Sequence, residues 1–350
     1  MLKVEIIPYQ LHFKEPGGTS RGVMYDRQVW YFKVYDPKNP TLFGMGECAP
    51  LPGLSCDPLS DFPDLFRSME EDLLPFLENQ DLLKAYPSVV FALEMAILDL
   101  TQGGREIWFP SQFTQGEDSI RINGLIWMGS EEEMLRRIGE KLDSGFSCLK
   151  LKIGAIDFDS ELQLLKNLRA HFSERELELR VDANGAFTYE DAFGKLERLA
   201  VFGLHSIEQP IRAGHWEQMA ELCLKTPVPI ALDEELIGVN DRKEKERLLD
   251  VIHPQYIILK PSLVGGFRAS DEWITLAEAR NTGWWITSAL ESNLGLNAIA
   301  QWCYTKHSSL PQGLGTGQLF TNNLPSSLHL KGEFLSLSSE NKPSVTFKVE

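Results

Sequence analysis

The sequence has few cysteines, no long apolar run and no recognisable secretion signal. Its five cysteines, among 350 residues, are widely scattered and form no C-x-x-C pair, which indicates free thiols in a reducing compartment. No apolar run reaches the roughly 18 residues that a membrane helix needs. The first residues contain neither a basic segment nor a cleavable apolar core. We therefore expect a soluble cytoplasmic protein without a membrane partner.

Basic residues are in the minority as well. The chain has 34 Lys and Arg residues against 50 Asp and Glu residues, a formal net charge of −16. This balance argues against a nucleic-acid partner and against adhesion to anionic membranes, because both need a basic face. The hydrophobic content of 43% is too high for a disordered chain. At roughly 150 residues per domain, the length predicts about two domains.

Two patterns divide the chain. Residues 1–118 contain β-rich runs at 4–11, 28–35 and 41–48, followed by helical runs, which is typical of an α+β domain. A glycine-rich segment at 15–22 predicts a solvent-facing loop. Residues 119–322 alternate short β-rich runs with amphipathic helical runs, which favours a (β/α) barrel. The tail, residues 323–350, is β-like again and is expected to return to the first domain.

Eight strands are predicted for the barrel. They lie at residues 122–127, 148–153, 178–182, 206–209, 230–233, 256–260 and 284–287, with a weaker one at 312–315. An open doubly wound sheet is the alternative fold. It is disfavoured because no G-x-G-x-x-G follows the first strand.

Charged residues end the predicted strands at intervals of one βα unit. In chain order they are Lys150 and Lys152, Asp182, Glu208, Asp233 and Lys260, and from Lys152 onward they are 25 to 30 residues apart. An isolated acid at a strand end is usually a helix cap or a surface residue. Here several positions fall in phase, and a barrel gathers such strand ends around the mouth that holds its active site. The spacing therefore predicts one shared site.

The residue types indicate the chemistry of that site. Three carboxylates without His or Cys form an oxygen-only ligand set of the kind that Mg²⁺ prefers. Residues i and i+2 of a strand share a face, so Lys150 and Lys152 point inward together. A lysine beside another cation can have its pKa lowered enough to act as a base. We expect Asp182, Glu208 and Asp233 to bind a metal beside lysines that remove the α-proton of a small anionic carboxylate.

At these positions the sequence resembles the enolase superfamily. Residues 44–53, Gly-Met-Gly-Glu-Cys-Ala-Pro-Leu-Pro-Gly, resemble the part of its capping domain that closes over the substrate. Residues 150–152 resemble the K-x-K of its muconate-lactonising branch. The mandelate racemase branch uses a histidine base, for which there is no candidate between His253 and His307. The resemblance implies a modified (β/α)8 TIM-type barrel with an α+β capping domain.

The same resemblance implies roles for the charged residues. Asp182, Glu208 and Asp233 match the ligands of Mg²⁺, for which Mn²⁺ can substitute. Lys152 matches the base, and Lys260 matches the lysine on the opposite face, which stabilises the enediolate. Lys150 would hold the local potential positive and help to keep Lys152 neutral.

Within this branch, residues 259–266, 288–292 and 315–320 are most similar to o-succinylbenzoate synthases. The implied reaction is the syn dehydration of 2-succinyl-6-hydroxy-2,4-cyclohexadiene-1-carboxylate to o-succinylbenzoate, a step of menaquinone biosynthesis. N-Succinylamino acid racemases and dipeptide epimerases are the alternatives. The epimerases are expected to have a D-x-D near the last strand, but residues 313–318 contain no acid. A metal-binding barrel without catalysis should lack a lysine or a ligand, and none is missing.

A second group of residues is offered as substrate contacts. Ser262 could instead cap the helix that follows it. The segment that contains Arg21 could instead be a solvated hairpin loop. The group consists of Arg21, Asn184, Ser262, Ser288, Glu291, Ser292, Gly315 and Thr316.

Overall fold

The computed structural model describes residues 1–19, 22–154 and 156–338. The strands are β1 (Lys3–Thr19), β2 (Gly22–Asp36), β3 (Asn39–Cys48), β4 (Ser119–Arg121), β5 (Gly124–Ile126), β6 (Cys148–Lys152), β7 (Glu178–Asp182), β8 (Ser206–Glu208), β9 (Ile230–Leu232), β10 (Tyr256–Leu259), β11 (Gly283–Ile286), β12 (Leu328–Lys331) and β13 (Phe334–Leu337). The α-helices are α1 (Phe62–Glu71), α2 (Leu74–Glu78), α3 (Pro87–Thr101), α4 (Gln112–Gln115), α5 (Glu131–Asp143), α6 (Phe158–His171), α7 (Tyr189–Ala200), α8 (Trp216–Lys225), α9 (Arg242–Ile252), α10 (Pro261–Val264), α11 (Gly266–Glu278) and α12 (Asn293–Tyr304). Among the described residues, no helix has both the length and the apolar character needed to cross a membrane.

The first three strands form an antiparallel sheet in the order β1-β2-β3. The prediction of a loop at residues 15–22 is wrong for the residues that the structure describes there, because β1 and β2 remain paired. The register shifts between His12 and Gly17, after which Gly17 pairs with Met24 and Thr19 with Gly22. After such a bulge the hydrogen-bond ladder between β1 and β2 resumes, so the glycine-rich segment extends both strands.

Glycines let this sheet approach α3 closely. A Cβ atom on Gly46 would lie 1.9 Å from the carbonyl oxygen of Ala92, and one on Gly44 would lie 2.0 Å from that of Ala96. Any larger residue would therefore push β3 away from the helix. This contact fixes the strand end that contains Glu47.

Seven parallel strands form the barrel sheet in the order β11-β10-β9-β8-β7-β6-β5. The gap between its edges is bridged by two residues, since Gln312 pairs with Ile122 and Gly313 pairs with Thr287. The weak strand predicted at 312–315 is thus reduced to two bridges. Pro311 has no N–H to donate, and a Cβ on Gly313 would lie 2.5 Å from the side chain of Thr287. The predicted fold class, a modified (β/α)8 barrel with an α+β capping domain, is confirmed.

The described part of the tail pairs with β4, and the residues just before the tail contact the first sheet. Strands β12 and β13 form a hairpin that extends β4. Just before it, the Lys14 N–H donates to the Leu319 carbonyl at 2.8 Å, and the Thr321 N–H donates to the His12 carbonyl at 2.8 Å. The limits 1–118, 119–322 and 323–350 remain predictions, and residues 339–350 lie outside the described residues.

Candidate active site

Three carboxylates lie side by side because their strands are neighbours in the parallel sheet. Asp182 ends β7 and is paired in register with Glu208, which ends β8. Asp233 directly follows β9. Since Glu208 is paired with Ala231 and side chains alternate along a strand, all three carboxylates share one face. None of the three residues is more than 2% exposed.

Three lysines surround these carboxylates. Lys150 and Lys152 lie on β6, next to β7, and Lys260 directly follows β10. The Nζ of Lys152 lies 2.6 Å from Oδ2 of Asp182, and that of Lys150 lies 3.0 Å from the same oxygen. Lys150 also contacts Glu208, and Lys260 contacts Asp233. The structure therefore brings together all six residues that strand-end spacing predicted.

Two of these three lysines, Lys150 and Lys260, are held in their charged form. Burial alone would lower the pKa of Lys150, but attraction to the three carboxylates, Asp182 first, outweighs burial and raises it. The pKa of Lys260 is raised against burial in the same way, chiefly by Asp233. Both groups are therefore cations at neutral pH.

The carboxylates share this positive charge unequally. Burial opposes ionisation of Asp182, but Lys150 and Lys152 hold its pKa well below the usual value. Lys260 likewise overcomes burial and lowers the pKa of Asp233. The pKa of Glu208 is raised well above its usual value by burial and then by repulsion from Asp182. Of the three carboxylates, Glu208 is consequently the one whose burial is least offset by the lysines.

The donor chemistry of this cluster fits a hard divalent cation. Neither oxygen of buried Glu208 accepts a hydrogen bond of regular geometry from the described residues, although Lys150 forms an ion pair with it. A buried carboxylate of this kind can accept an ion as a further partner. Within the described residues, no three His, Cys, Asp or Glu side chains are arranged to hold a metal as they stand. The carboxylates pair instead with the lysines, whose ammonium groups would compete with a metal for the same oxygens.

A cavity of about 280 Å³ opens directly above the lysines. The barrel lines one side of it with Lys150, Lys152 and Lys260, and the antiparallel sheet and the segment after it line the other. The remaining lining residues are Gly22, Val23, Met24, Asp26, Arg27, Gln28, Leu51, Pro52, Leu54, Asn123, Leu125, Trp127, Asn184, Glu234, Thr287, Ser288, Ala289, Leu290, Gly313, Gly315 and Thr316. An apolar chamber with a few polar groups suits a small organic anion.

Asn184 links the lysines to a further acid. Its Oδ1 accepts a hydrogen bond of 2.8 Å from Lys152 Nζ, and its Nδ2 donates one of 3.0 Å to Glu234. Its φ of 44° lies in the left-handed region. Such strain at a cavity wall is common where a side chain must be aimed at a ligand.

Comparisons with known proteins agree with this geometry. Residues 133–332 match the family described as Enolase C-terminal domain-like. The chain is 48% identical to an o-succinylbenzoate synthase of Desulfotalea psychrophila, over 94% of this chain and 97% of that one. The chain belongs to the enolase superfamily.

A solved structure of the superfamily covers almost the whole molecule. The crystal structure of MenC from Desulfotalea psychrophila has a TM-score of 0.86 and 44% identity, over 96% of this chain and 99% of that one. An N-succinylamino acid racemase of Amycolatopsis is more distant, with 28% identity over 88% of this chain and 84% of its own length. The enolase-superfamily resemblance predicted from residues 44–53 and from the strand ends is therefore confirmed.

The predicted substrate contacts separate into two groups in this enolase-superfamily fold. Asn184, Ser288, Gly315 and Thr316 line the cavity. Ser262, Glu291 and Ser292 are fully buried and are not among the lining residues. Arg21 lies outside the described residues. The geometry gives no support to direct substrate contact by the three buried residues.

Sequence reasoning missed several residues of this cavity. Glu234 had a usable signal, since it directly follows Asp233 at a strand end. Asn123 and Trp127 border the first barrel strand, where no charged residue marks the position. Arg27 lies on β2 of the other sheet, far from the barrel in sequence, and only the packing of the two domains places it at the cavity.

Proposed function

We propose that this protein is a carbon–oxygen lyase that converts 2-succinyl-6-hydroxy-2,4-cyclohexadiene-1-carboxylate to o-succinylbenzoate by syn dehydration. The observation that supports this most directly is the near full-length relative at 48% identity. The six charged residues gathered at one cavity supply the chemistry that the reaction needs. We place the reaction in menaquinone biosynthesis and in the cytoplasm, in keeping with the five free cysteines.

Lys152 is assigned as the general base. Among the described ion pairs it contacts one carboxylate, Asp182, and it also contacts the neutral amide of Asn184. It would remove the proton α to the ring carboxylate and then protonate the departing hydroxyl. A syn elimination lets a single group on one face carry out both proton transfers.

Lys260 and Lys150 are assigned electrostatic roles. Lys260 follows β10 and approaches the cavity from the side opposite β6, and its raised pKa keeps it charged. It would stabilise the negative charge that develops on the substrate carboxylate. Lys150, which is charged for the same reason, would keep the potential of the cavity positive.

Asp182, Glu208 and Asp233 are assigned as the ligands of Mg²⁺, with Mn²⁺ as a substitute. These three residues would hold the divalent ion, which would supply positive charge to stabilise the ionised substrate. The three residues bring carboxylate oxygens from three adjacent strand ends, which is the ligand type that this ion prefers.

Racemisation of N-succinylamino acids is the second candidate function. It needs a base on each face of the substrate, and Lys152 and Lys260 lie on opposite sides of the cavity. The more distant racemase relative supports the same idea. Epimerisation of dipeptides is less favoured, because residues 313–318, three of which line the cavity, offer no acid to a free amino group.

An assay on the cyclohexadiene carboxylate, with and without Mg²⁺, tests the main proposal. We expect the aromatic product to appear only with the metal, and EDTA to abolish turnover reversibly. Incubation of an N-succinylamino acid in D₂O tests the second function through exchange of its α-proton. Exchange without any dehydration would replace the first proposal by the second, and Mg²⁺ binding with neither reaction would indicate a barrel without catalysis.

A further inference from the structure

One wall of the active-site cavity belongs to a short segment that follows β11. Ser288, Ala289 and Leu290 line the cavity, and the segment continues through Ser292 into α12. We refer to residues 288–292 as the 288–292 segment. Leu290 has a φ of 64°, a left-handed conformation that costs a leucine energy. A backbone of this kind persists only where its surroundings hold it firmly.

Glu47, on β3 of the capping domain, supplies the first restraint. Its carboxylate accepts hydrogen bonds from the Ser292 N–H at 2.7 Å, the Ser292 hydroxyl at 2.6 Å and the Gly295 N–H at 2.8 Å. These donors belong to the first turn of α12, where a carboxylate is favoured by the helix dipole. Glu47 is fully buried.

Arg27, on β2 of the same domain, supplies the second restraint. Its guanidinium donates to the carbonyl of Ala289 in the barrel and to that of Ala49 in the capping domain. Burial lowers the pKa of Arg27, while nearby Glu291 and Glu47 act in the opposite direction. The two carboxylates therefore partly offset the cost of burying the Arg27 charge.

The barrel supplies the third restraint from below. Glu291 accepts a hydrogen bond of 2.7 Å from the Ala289 N–H and another from the Ser262 hydroxyl. The three residues that were predicted to touch substrate, Ser262, Glu291 and Ser292, thus hold the backbone of a cavity wall. Their placement explains why they cluster with cavity residues in sequence without reaching the cavity.

We propose that Glu47 and Arg27 are positioning residues that fix the 288–292 segment from the capping domain and thereby set the affinity for substrate. The inference rests on the proposed dehydration. The segment contributes no lysine and no metal ligand, so its displacement should weaken ground-state and transition-state binding alike. Such a change raises KM and leaves kcat nearly unaltered.

A second contact between the domains provides a matched control. Glu94, on α3, accepts hydrogen bonds from the Phe267 N–H at 2.6 Å and from Nε of Arg268 at 2.7 Å, at the start of α11. It is a carboxylate of the capping domain at the first turn of a barrel helix, as Glu47 is, and its side chain is 10% exposed. It differs in not lining or supporting the 280 Å³ cavity.

The experiment compares Glu47→Gln with Glu94→Gln. Each variant replaces one acceptor oxygen by an NH₂ group that faces donors, so both should lose unfolding stability. We expect KM for the cyclohexadiene carboxylate to rise about tenfold in Glu47→Gln, with kcat within about threefold. Glu94→Gln should change KM by less than about twofold. Arg27→Met should raise KM more than Arg27→Lys, which keeps a charge and a donor.

Two further measurements separate this inference from the proposed function. Calorimetric affinity for o-succinylbenzoate should weaken in parallel with KM. Amide exchange in the peptide 286–296 should be faster in Glu47→Gln than in wild type and unchanged in Glu94→Gln. Equal KM values in the two variants would overturn the positioning role. Unchanged amide exchange in Glu47→Gln would also overturn the positioning role, and this readout does not depend on dehydration. Failure of the wild type to dehydrate the substrate would instead refute the proposed function.

Discussion

Buried lysines in this protein differ by what surrounds them. Lys150 lies among three carboxylates and its pKa is raised. Lys245 is equally buried but has Glu272 at 2.8 Å as its partner, and burial lowers its pKa. Lys152 contacts one carboxylate and one neutral amide. The charges around a buried lysine therefore set the direction of its pKa shift. The proposed role of Lys152 in proton transfer rests on its position in the wall of the cavity.

Replacement of Lys152 by Met tests that assignment. We expect kcat for dehydration to fall by about 10²- to 10⁴-fold, because general base catalysis supplies an effect of that size. Lys245→Met serves as the control, since it removes a buried lysine that does not line the cavity and should reduce stability rather than kcat. Steady-state kinetics and circular dichroism distinguish the two. Activity of Lys152→Met within tenfold of wild type would refute its role as the base.

At the scale of the element, the start of α3 shows how capping is supplied from a distance. Asp57 accepts hydrogen bonds from the Ser88 N–H at 3.0 Å and the Ser88 hydroxyl at 2.6 Å, both on the same oxygen. Its other oxygen has no hydrogen-bond partner among the described residues. Burial raises the pKa of Asp57 to about 6. Ionising this residue in the folded protein therefore costs free energy.

This cost predicts an unusual dependence of stability on pH. The folded state binds the Asp57 proton more tightly than the unfolded state, so its contribution is present below about pH 4 and is lost as the pH rises through about 6. Asp57→Asn keeps the oxygen that accepts from Ser88 and cannot ionise. We expect the variant to gain stability relative to wild type, by about 2 kcal/mol, between pH 4.5 and 7.5.

Urea unfolding at the two pH values measures the effect. Asp241→Asn provides a control, because Asp241 caps α9 and its hydrogen bond from the Lys243 N–H lowers its pKa. The contribution of Asp241 is lost only as the pH falls below about 4, so the difference between this variant and wild type should hardly change between pH 4.5 and 7.5. An Asp57→Asn difference that does not change with pH would contradict the assignment.

At the scale of the whole molecule, the sequence predicts the residues that recur at each strand end. It does not predict contacts between residues that are distant in the chain. Asp182, Glu208 and Asp233 could be found because one βα unit separates successive strand ends and a barrel aligns those ends. The contact between Glu47 and Ser292 spans 245 residues. No local pattern encodes such a contact, so the sequence predicts that Ser292 contacts substrate, whereas the structure places it in the packing between domains. The closing strand was overestimated because Gln312 and Gly313 form only isolated bridges.

The overall charge of −16 and the local charge of the site have different meanings. The net charge reflects a solvated acidic exterior. Inside, three lysines face three carboxylates, and a divalent cation would give the cavity a positive excess. An acidic protein can therefore bind an anionic substrate. An ion bound by these carboxylates would couple metal binding to the stability of the folded state.

The stability of the whole protein should therefore respond to Mg²⁺. An ion that binds the folded state alone stabilises it by about 2.7 kcal/mol at a concentration one hundred times Kd. We expect Mg²⁺ to raise the Tm of the wild type in calorimetry and EDTA to reverse the shift. Glu208→Gln should abolish the shift without unfolding the protein, because the pKa of Glu208 is already raised and an amide resembles its protonated form. Glu94→Gln should lower the Tm but retain the full shift. An equal shift in all three proteins would place the ion elsewhere and refute the carboxylate site.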